Sequence, residues 1–387
     1  MNISSIKDCY GCGVCATVCP MNIIEISLNS EGFYEPRIRE TNKCTDCNLC
    51  MDVCSYSKNN LALEKTEIKS YAGWSRDDLV RRKCSSGGIG FELERALIER
   101  DYKVCVVRYN PDMNCAEHYI ATTVEQLLPS IGSKYIQSYT TNGFKAINRA
   151  HKHLVIGTPC QIDSFRRYIQ KFKKEDNFIL MDFFCHGVPS MLMWNKYLTE
   201  VEKITDKVTY VSWRNKDAGW HDSYNLLIKG KEKIYSSRLS QGDTFYRLFL
   251  SDTCLGKACY EKCKFKCTES AADIRIGDLW GFKYRNNKEG VSGVLTFTRR
   301  GDELLHSISS LHIEPCSLRI VAEGQMKNAP KMPSIRRNIM EMLRNDSIQL
   351  NDIILLVNPF LKKQKIKVFL KHPLRVVKNR LVRYFKL

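Results

Sequence analysis

Apolar positions in the middle of the chain follow two rhythms. Short, nearly unbroken runs at Lys103-Val-Cys-Val-Val-Arg108, Leu154-Val-Ile-Gly157 and Asn177-Phe-Ile-Leu-Met-Asp-Phe-Phe184 read as buried strands. Further strands are expected at Tyr71-Ala-Gly-Trp and around Tyr119-Ile-Ala-Thr122. Between them the period lengthens to that of a helix, over residues 91–100, from about Ile162 to Phe172, and onward from Met191. Two of these units share a design. One strand ends in Gly157-Thr-Pro-Cys160-Gln161 and the other in Cys185-His-Gly-Val-Pro-Ser190, so each cysteine stands after a strand and before a helix. In an open parallel sheet that place is the carboxyl edge, where ligands bind, and neighbouring strands would bring Cys160 and Cys185 together. The expected class is α/β, α+β overall.

The first residues follow another pattern. Asn22-Ile-Ile-Glu-Ile-Ser27 and Phe33-Tyr-Glu-Pro-Arg-Ile38, separated by a turn at residues 29–32, read as a short hairpin. It joins two cysteine runs: Cys9, Cys12, Cys15 and Cys19, then Cys44, Cys47, Cys50 and Cys54. Both runs have gaps of two, two and three residues, the spacing of bacterial ferredoxins. Three thiolates on a tight loop reach three irons of one cubane, and the fourth cysteine serves the other cluster. Cys9, Cys12, Cys15 and Cys54 are thereby assigned to one 4Fe–4S cluster, and Cys44, Cys47, Cys50 and Cys19 to a second. Zinc sites pair two short hooks around four ligands, which suits eight cysteines in two runs less well. Pro20 follows the first run, but Ser55 stands at the matching place in the second. The segmentation expected is a two-cluster ferredoxin domain at residues 1–60, a linker at 61–70, a larger domain at 71–330 and a basic helical tail at 331–387.

Composition narrows the setting. The chain has 387 residues, 18 cysteines and a formal charge of +18. No apolar run reaches the roughly 18 residues of a membrane span, and no apolar signal core precedes Cys9. Oxygen-sensitive clusters then place the chain in a reducing cytoplasm. The tail from Leu361 holds ten basic residues and no acid, with Leu374, Val377, Leu381 and Phe385 near one helical face. It reads either as a helix lying on the anionic inner face of a membrane or as one packed on the protein's own body. With the basic residues clustered in the tail and no binding module in view, nucleic acid is not an expected partner.

Two stretches remain open on local sequence. Ser85-Ser-Gly-Gly88 before a helix offers free backbone N–H groups for a phosphate, or is an ordinary helix start. Cys254, Cys259, Cys263 and Cys267 have a spacing of no standard cluster loop, and zinc or plain thiols are alternatives to a cluster.

Six motifs in order carry a resemblance: Ser85–Gly88, Gly132–Ser138, Gly157–Gln161, Cys185–Ser190, Ser212-Trp-Arg-Asn-Lys216 and Asp273-Ile-Arg-Ile-Gly-Asp-Leu-Trp-Gly281. Together, from about Tyr71 to about Ala329, they resemble the beta-subunit family of coenzyme F420 hydrogenases and dehydrogenases, with its 7-hydroxymethyl-chlorophyll a reductase relatives. The resemblance implies an iron–sulfur flavoprotein oxidoreductase with FAD and a third 4Fe–4S cluster. Ser85, Ser86, Gly87, Gly88, Ser133 and Lys134 would line the flavin site, and Cys160, Cys185, Cys259 and Cys263 would hold the third cluster, with Cys254 and Cys267 as competitors. His186 is a proton donor beside the flavin or a turn residue bonded to backbone. Asp278 binds a ribityl hydroxyl or caps a helix, and Trp280 packs on the ring or on the core. Lys134, Arg214 and Arg238 hold an anionic ligand or are solvated surface. The expected partners are a redox protein such as ferredoxin and a small hydride donor or acceptor, coenzyme F420 among the candidates. The alternative function is an electron-relay subunit without catalysis of its own.

Overall fold

A computed structural model describes residues 2–64, 67–260 and 262–371 of the chain. The expected stripe from Leu374 to Phe385 lies outside the described residues. The N-terminal hairpin pairs β1 (Ile24–Leu28) with β2 (Tyr34–Ile38), Ile26 opposite Pro36. Each cysteine run turns into a short helix, Val14–Val18 or Leu49–Asp52. The residue before each helix is left-handed, Gly13 at φ 73° and Asn48 at φ 61°, a conformation that glycine and asparagine adopt most readily. The two halves are thus built alike, as the repeated spacing implies.

The body is organised by a sheet of β3 (Lys69–Ser75), β4 (Lys103–Asn110), β5 (Cys115–Ala121), β6 (Ser138–Tyr139), β7 (His153–Ile156), β8 (Phe178–Phe183), β12 (Ile274–Asp278), β13 (Ser292–Thr296) and β14 (Leu311–Pro315). Three further strands, β9 (Tyr210–Ser212), β10 (Asn225–Lys229) and β11 (Ile234–Arg238), form a separate antiparallel sheet. The large sheet has the order β14-β3-β13-β12-β8-β7-β4-β5-β6.

This sheet is mixed, which corrects the expectation of an open parallel one. Strands β12, β8, β7 and β4 run parallel to their neighbours within that group. Strand β5 is antiparallel to β4, and β13, β3 and β14 are added antiparallel at the other side. The connection from Asn110 to Cys115 is too short for a crossover, which needs about a dozen residues or more. The parallel centre is buried on both faces, consistent with its unbroken apolar runs. Because β7 and β8 are neighbours, with Ile156 opposite Met181, the segments holding Cys160 and Cys185 leave the same sheet edge side by side.

The cysteine-bearing segment packs into the body directly. Val14, Ala16, Val18 and Val53 share one buried cluster with Phe144, Ile162, Phe165 and Ile169. The helix Leu350–Lys371 places Leu350, Ile353, Ile354 and Val357 in another cluster with Trp194 and Phe245, while Leu355 is exposed. The first part of the basic tail therefore packs on the body. No helix among the described residues is long and apolar enough to cross a membrane.

Candidate redox centres

Four cavities hold the candidate residues, and three of them share walls in succession. The outermost is lined by Cys19, Cys44, Cys47 and Cys50, and Cys47 is exposed. The next is lined by Cys9, Cys12, Cys15 and Cys54. These are the two crossed sets that the ferredoxin spacing assigns. The third, of about 50 Å³, is lined by Cys160, Cys185, Cys259 and Cys263. It shares Cys9, Tyr10 and Gly11 with the second. The fourth is far larger, about 360 Å³, and shares Cys185, Thr158, Phe265 and Lys266 with the third.

The third cavity separates the competing cysteines. Cys254 is fully buried elsewhere, its Sγ 3.3 Å from Met193 Sδ in the apolar core. Cys267, at φ 52°, lines the large cavity instead. Cys160 sits in the first turn of the helix Pro159–Lys171, whose start is fixed by Gln161 Oε1 accepting from Thr158 N–H at 2.8 Å. Gly157 leaves room for that side chain, since a Cβ there would lie 2.9 Å from Gln161 Oε1. The loop carrying Cys259 and Cys263 is tied down by cations. Lys264 Nζ donates to the carbonyls of Ser55, Lys58 and Asn60. Lys266 Nζ donates to those of Cys185 at 2.7 Å and His186 at 3.0 Å. Arg275, fully buried, holds both oxygens of Asp182 at 2.7 Å and donates to the carbonyls of Phe265, Cys267 and Glu269.

Burial pushes the cavity thiols toward their neutral forms. Cys12 rises to about 11 and Cys259 to about 12, through desolvation first and neighbouring cysteines second. Such thiols become ligands when a metal displaces the proton. Among the described residues no three His, Cys, Asp or Glu side chains close on a single metal ion.

Tyr10 and Phe265 bridge successive cavities, a role the sequence did not signal. Their rings meet edge to face at 5.5 Å, and the Tyr10 hydroxyl donates to Lys262 O at 2.6 Å. Tyr10 thereby links the first cysteine loop to the loop bearing Cys263.

The large cavity lies over the carboxyl edge of the parallel strands. One end is formed by Ser85, Ser86, Gly88, Ser133 and Lys134. Ser85 Oγ accepts from Ser133 N–H at 2.8 Å, joining two of the expected motifs. The helix Ile89–Ile98 begins here behind Gly88, at φ 89° and with no side-chain cap, and its first residues Ile89 and Gly90 line the cavity. Gly87 does not line the cavity. It is packed beneath, where a Cβ would lie 2.5 Å from Gly73 O.

The cations expected to meet an anionic ligand are engaged within the protein. Lys134 Nζ donates to the carbonyls of Pro129, Ser130, Ile131 and Gly132, closing the loop on itself. Arg214 pairs with Asp278 and Arg238 with Asp222. Asp278 caps no helix; its oxygens take Arg214 and, at 2.9 Å, Trp220 Nε1. Trp280 lines the cavity and stacks on Trp220, with ring centres 5.0 Å apart and planes 7° apart. Tyr224 and Tyr135 extend this into an aromatic wall. His186 also lines the cavity, but its Nε2 stands 2.7 Å from Asp252 Oδ1 rather than on backbone, at an angle short of a hydrogen bond. Glu94 also lines the cavity and accepts from Ser130 Oγ at 3.0 Å. Burial raises its carboxyl to about 7.

The cavity fits a flavin-class cofactor in size, in its aromatic wall and in its uncapped helix start. The thiol sets fit cubanes in number and type.

Residues 8–58 match the family model described as "4Fe-4S dicluster domain". Residues 150–316 match the family model for the C terminus of the beta subunit of coenzyme F420 hydrogenase/dehydrogenase. Among solved structures, the chain is similar to one in the F420-reducing NiFe hydrogenase complex from Methanosarcina barkeri. That likeness has 17% identity and a TM-score of 0.45, over 75% of this chain and 93% of that chain. No curated protein matches the chain.

Proposed function

We propose that this chain, whose residues 8–58 match a 4Fe–4S dicluster domain and whose residues 150–316 match the C terminus of coenzyme F420 hydrogenase/dehydrogenase beta subunits, is an iron–sulfur flavoprotein oxidoreductase. Three 4Fe–4S clusters and FAD, when bound, would supply one-electron and hydride chemistry in series between a protein partner and a deazaflavin or another small organic molecule. The observation that carries this reading is the succession of cavities, each sharing wall residues with the next from Cys9 to Cys185.

The outer cluster would be held by Cys19, Cys44, Cys47 and Cys50, and the exposed Cys47 offers a redox protein such as ferredoxin a place to approach. The next would be held by Cys9, Cys12, Cys15 and Cys54, and the third by Cys160, Cys185, Cys259 and Cys263. FAD would supply the exchange between one-electron and hydride chemistry. Ser85, Ser86, Gly88 and Ser133 would hold it beside the start of the helix Ile89–Ile98, with Trp280 and Tyr224 as an aromatic wall. Lys134, at the cavity wall, and Gly87, packed beneath it, would shape that loop. His186, its Nε2 2.7 Å from Asp252 Oδ1, is the side chain that would hold a proton at the cavity. The packed junction of residues 1–60 with 71–330 supports one electron path through both. The lysines of the tail suit an anionic inner membrane face in a cytoplasmic protein.

The test is rapid anaerobic mixing of the reconstituted chain with reduced ferredoxin. Flavin absorbance should bleach after the clusters are reduced. Cys160→Ser should slow that bleaching at least about tenfold with flavin still bound. Equal bleaching in both proteins would contradict the series. Reduced clusters with no flavin present would instead mark a relay subunit.

A further inference from the structure

Ser55 breaks the pattern of the first cysteine run, where a proline follows the fourth cysteine. The structure gives that break a physical reason. Ser55 is fully buried, and its N–H donates to Ser164 Oγ at 3.2 Å. A proline there has no N–H to give. Ser164 is also fully buried, on the helix Pro159–Lys171, one turn beyond Cys160. Its Oγ stands 3.3 Å from Cys12 Sγ. Ser55 Oγ completes the junction by donating to Cys160 O at 3.4 Å.

The arrangement directs one proton. With Ser55 N–H occupying an acceptor site on Ser164 Oγ, the Ser164 O–H is free to donate to Cys12 once that sulfur is an iron-bound thiolate. An electron added to a cubane places part of its negative charge on the ligating sulfurs. A donor aimed at such a sulfur favours the reduced cluster and raises its reduction potential. The outer set has a weaker counterpart, Asn2 Nδ2 at 3.6 Å from Cys44 Sγ, beside the exposed Cys47.

We propose that Ser164 is a positioning residue that sets the potential of the cluster held by Cys9, Cys12, Cys15 and Cys54, with Ser55 orienting its hydroxyl. This rests on the ligand assignment proposed above. The body of the protein thereby reaches across its junction with the cysteine-bearing segment and tunes the second station of the electron path. The hydroxyl belongs to the same helix that carries the third cluster's Cys160, so one element governs both sides of that transfer.

The test uses the full chain, anaerobically reconstituted, as wild type, Ser164→Ala, Ser164→Thr and Ser55→Pro. Iron and sulfide are counted first, and midpoint potentials are then read by EPR-monitored potentiometry. Ser164→Ala should keep the wild-type iron content and move one midpoint potential to a more negative value, leaving the others in place. Ser164→Thr keeps the hydroxyl and should keep the wild-type potential. Ser55→Pro should move the same potential in the same direction by less. Unchanged potentials in a fully loaded Ser164→Ala chain would overturn the inference, as would equal shifts in the alanine and threonine variants. Loss of one cluster's iron from the alanine variant alone would make Ser164 an assembly residue and overturn it too. A wild-type chain that takes up no cubane would overturn the parent assignment, a result the iron count identifies before any potential is read.

Discussion

The Arg214 guanidinium grips both carboxylate oxygens of Asp278, at 2.7 and 3.2 Å, while lying over the rings of Tyr224 and Trp280. Arg214 is fully buried as a side chain and also reaches Ser223, Tyr135 and the Ser85 carbonyl. One ion pair thus ties β12 to the Ser85 loop and to the aromatic wall. Asp278→Ala strands that cation, and its cost should be about 3–5 kcal/mol. The check is the denaturant midpoint of the purified chain. Arg214→Lys should fail to restore wild-type stability, because an ammonium cannot make the two-pronged contact or the stacking.

The four later cysteines should separate by iron content. Cys259→Ser and Cys263→Ser should each lower the total by about four irons per chain, the content of one cubane. Cys254→Ala and Cys267→Ala should keep the full content. Cys254→Ala should instead cost about 1 kcal/mol, because its thiol packs against Met193 in the core. Colorimetric iron and a thermal melt on the same preparations check both statements.

Arg275 acts at the base of the same loop. It bonds three loop carbonyls while paired with Asp182, and both side chains are fully buried. Arg275→Lys keeps the charge but loses the planar set of donors. Iron of the third cluster should then pass to a chelator at least about threefold faster, with the two N-terminal clusters releasing theirs at the wild-type rate.

Glu94 gives the cavity a pH signature. Its folded carboxyl is raised by burial to about 7 from an ordinary value near 4.5, while the unfolded chain keeps the ordinary value. The folded protein therefore binds the extra proton, and this stabilisation is full below about 4.5 and is lost as pH rises to about 7. Glu94→Gln should flatten the fall of stability across that window. Melts at intervals of half a pH unit, for both proteins, read the difference.

The repeated two, two, three spacing implies two crossed sets of four cysteines, and each set lines a cavity of its own. The strand–cysteine–helix units at Cys160 and Cys185 were legible for the same reason: local pattern and local structure agree there. The sheet's antiparallel additions were not, because pairing partners such as Ser70 and Leu295 are far apart in sequence. Nor were the lysines at 134, 264 and 266, whose ammonium groups bind backbone carbonyls that no side-chain motif records. Cys254 and Cys263 differ only in what surrounds them after folding, an apolar core for one and a thiol-lined cavity for the other.

The central claim is that thiol-held clusters and a flavin occupy successive cavities of one chain. Cofactor quantitation after anaerobic reconstitution tests it most directly. About twelve irons, about twelve sulfides and about one FAD per chain are the predicted result. Colourless protein at flavin wavelengths, with the irons in place, would contradict it.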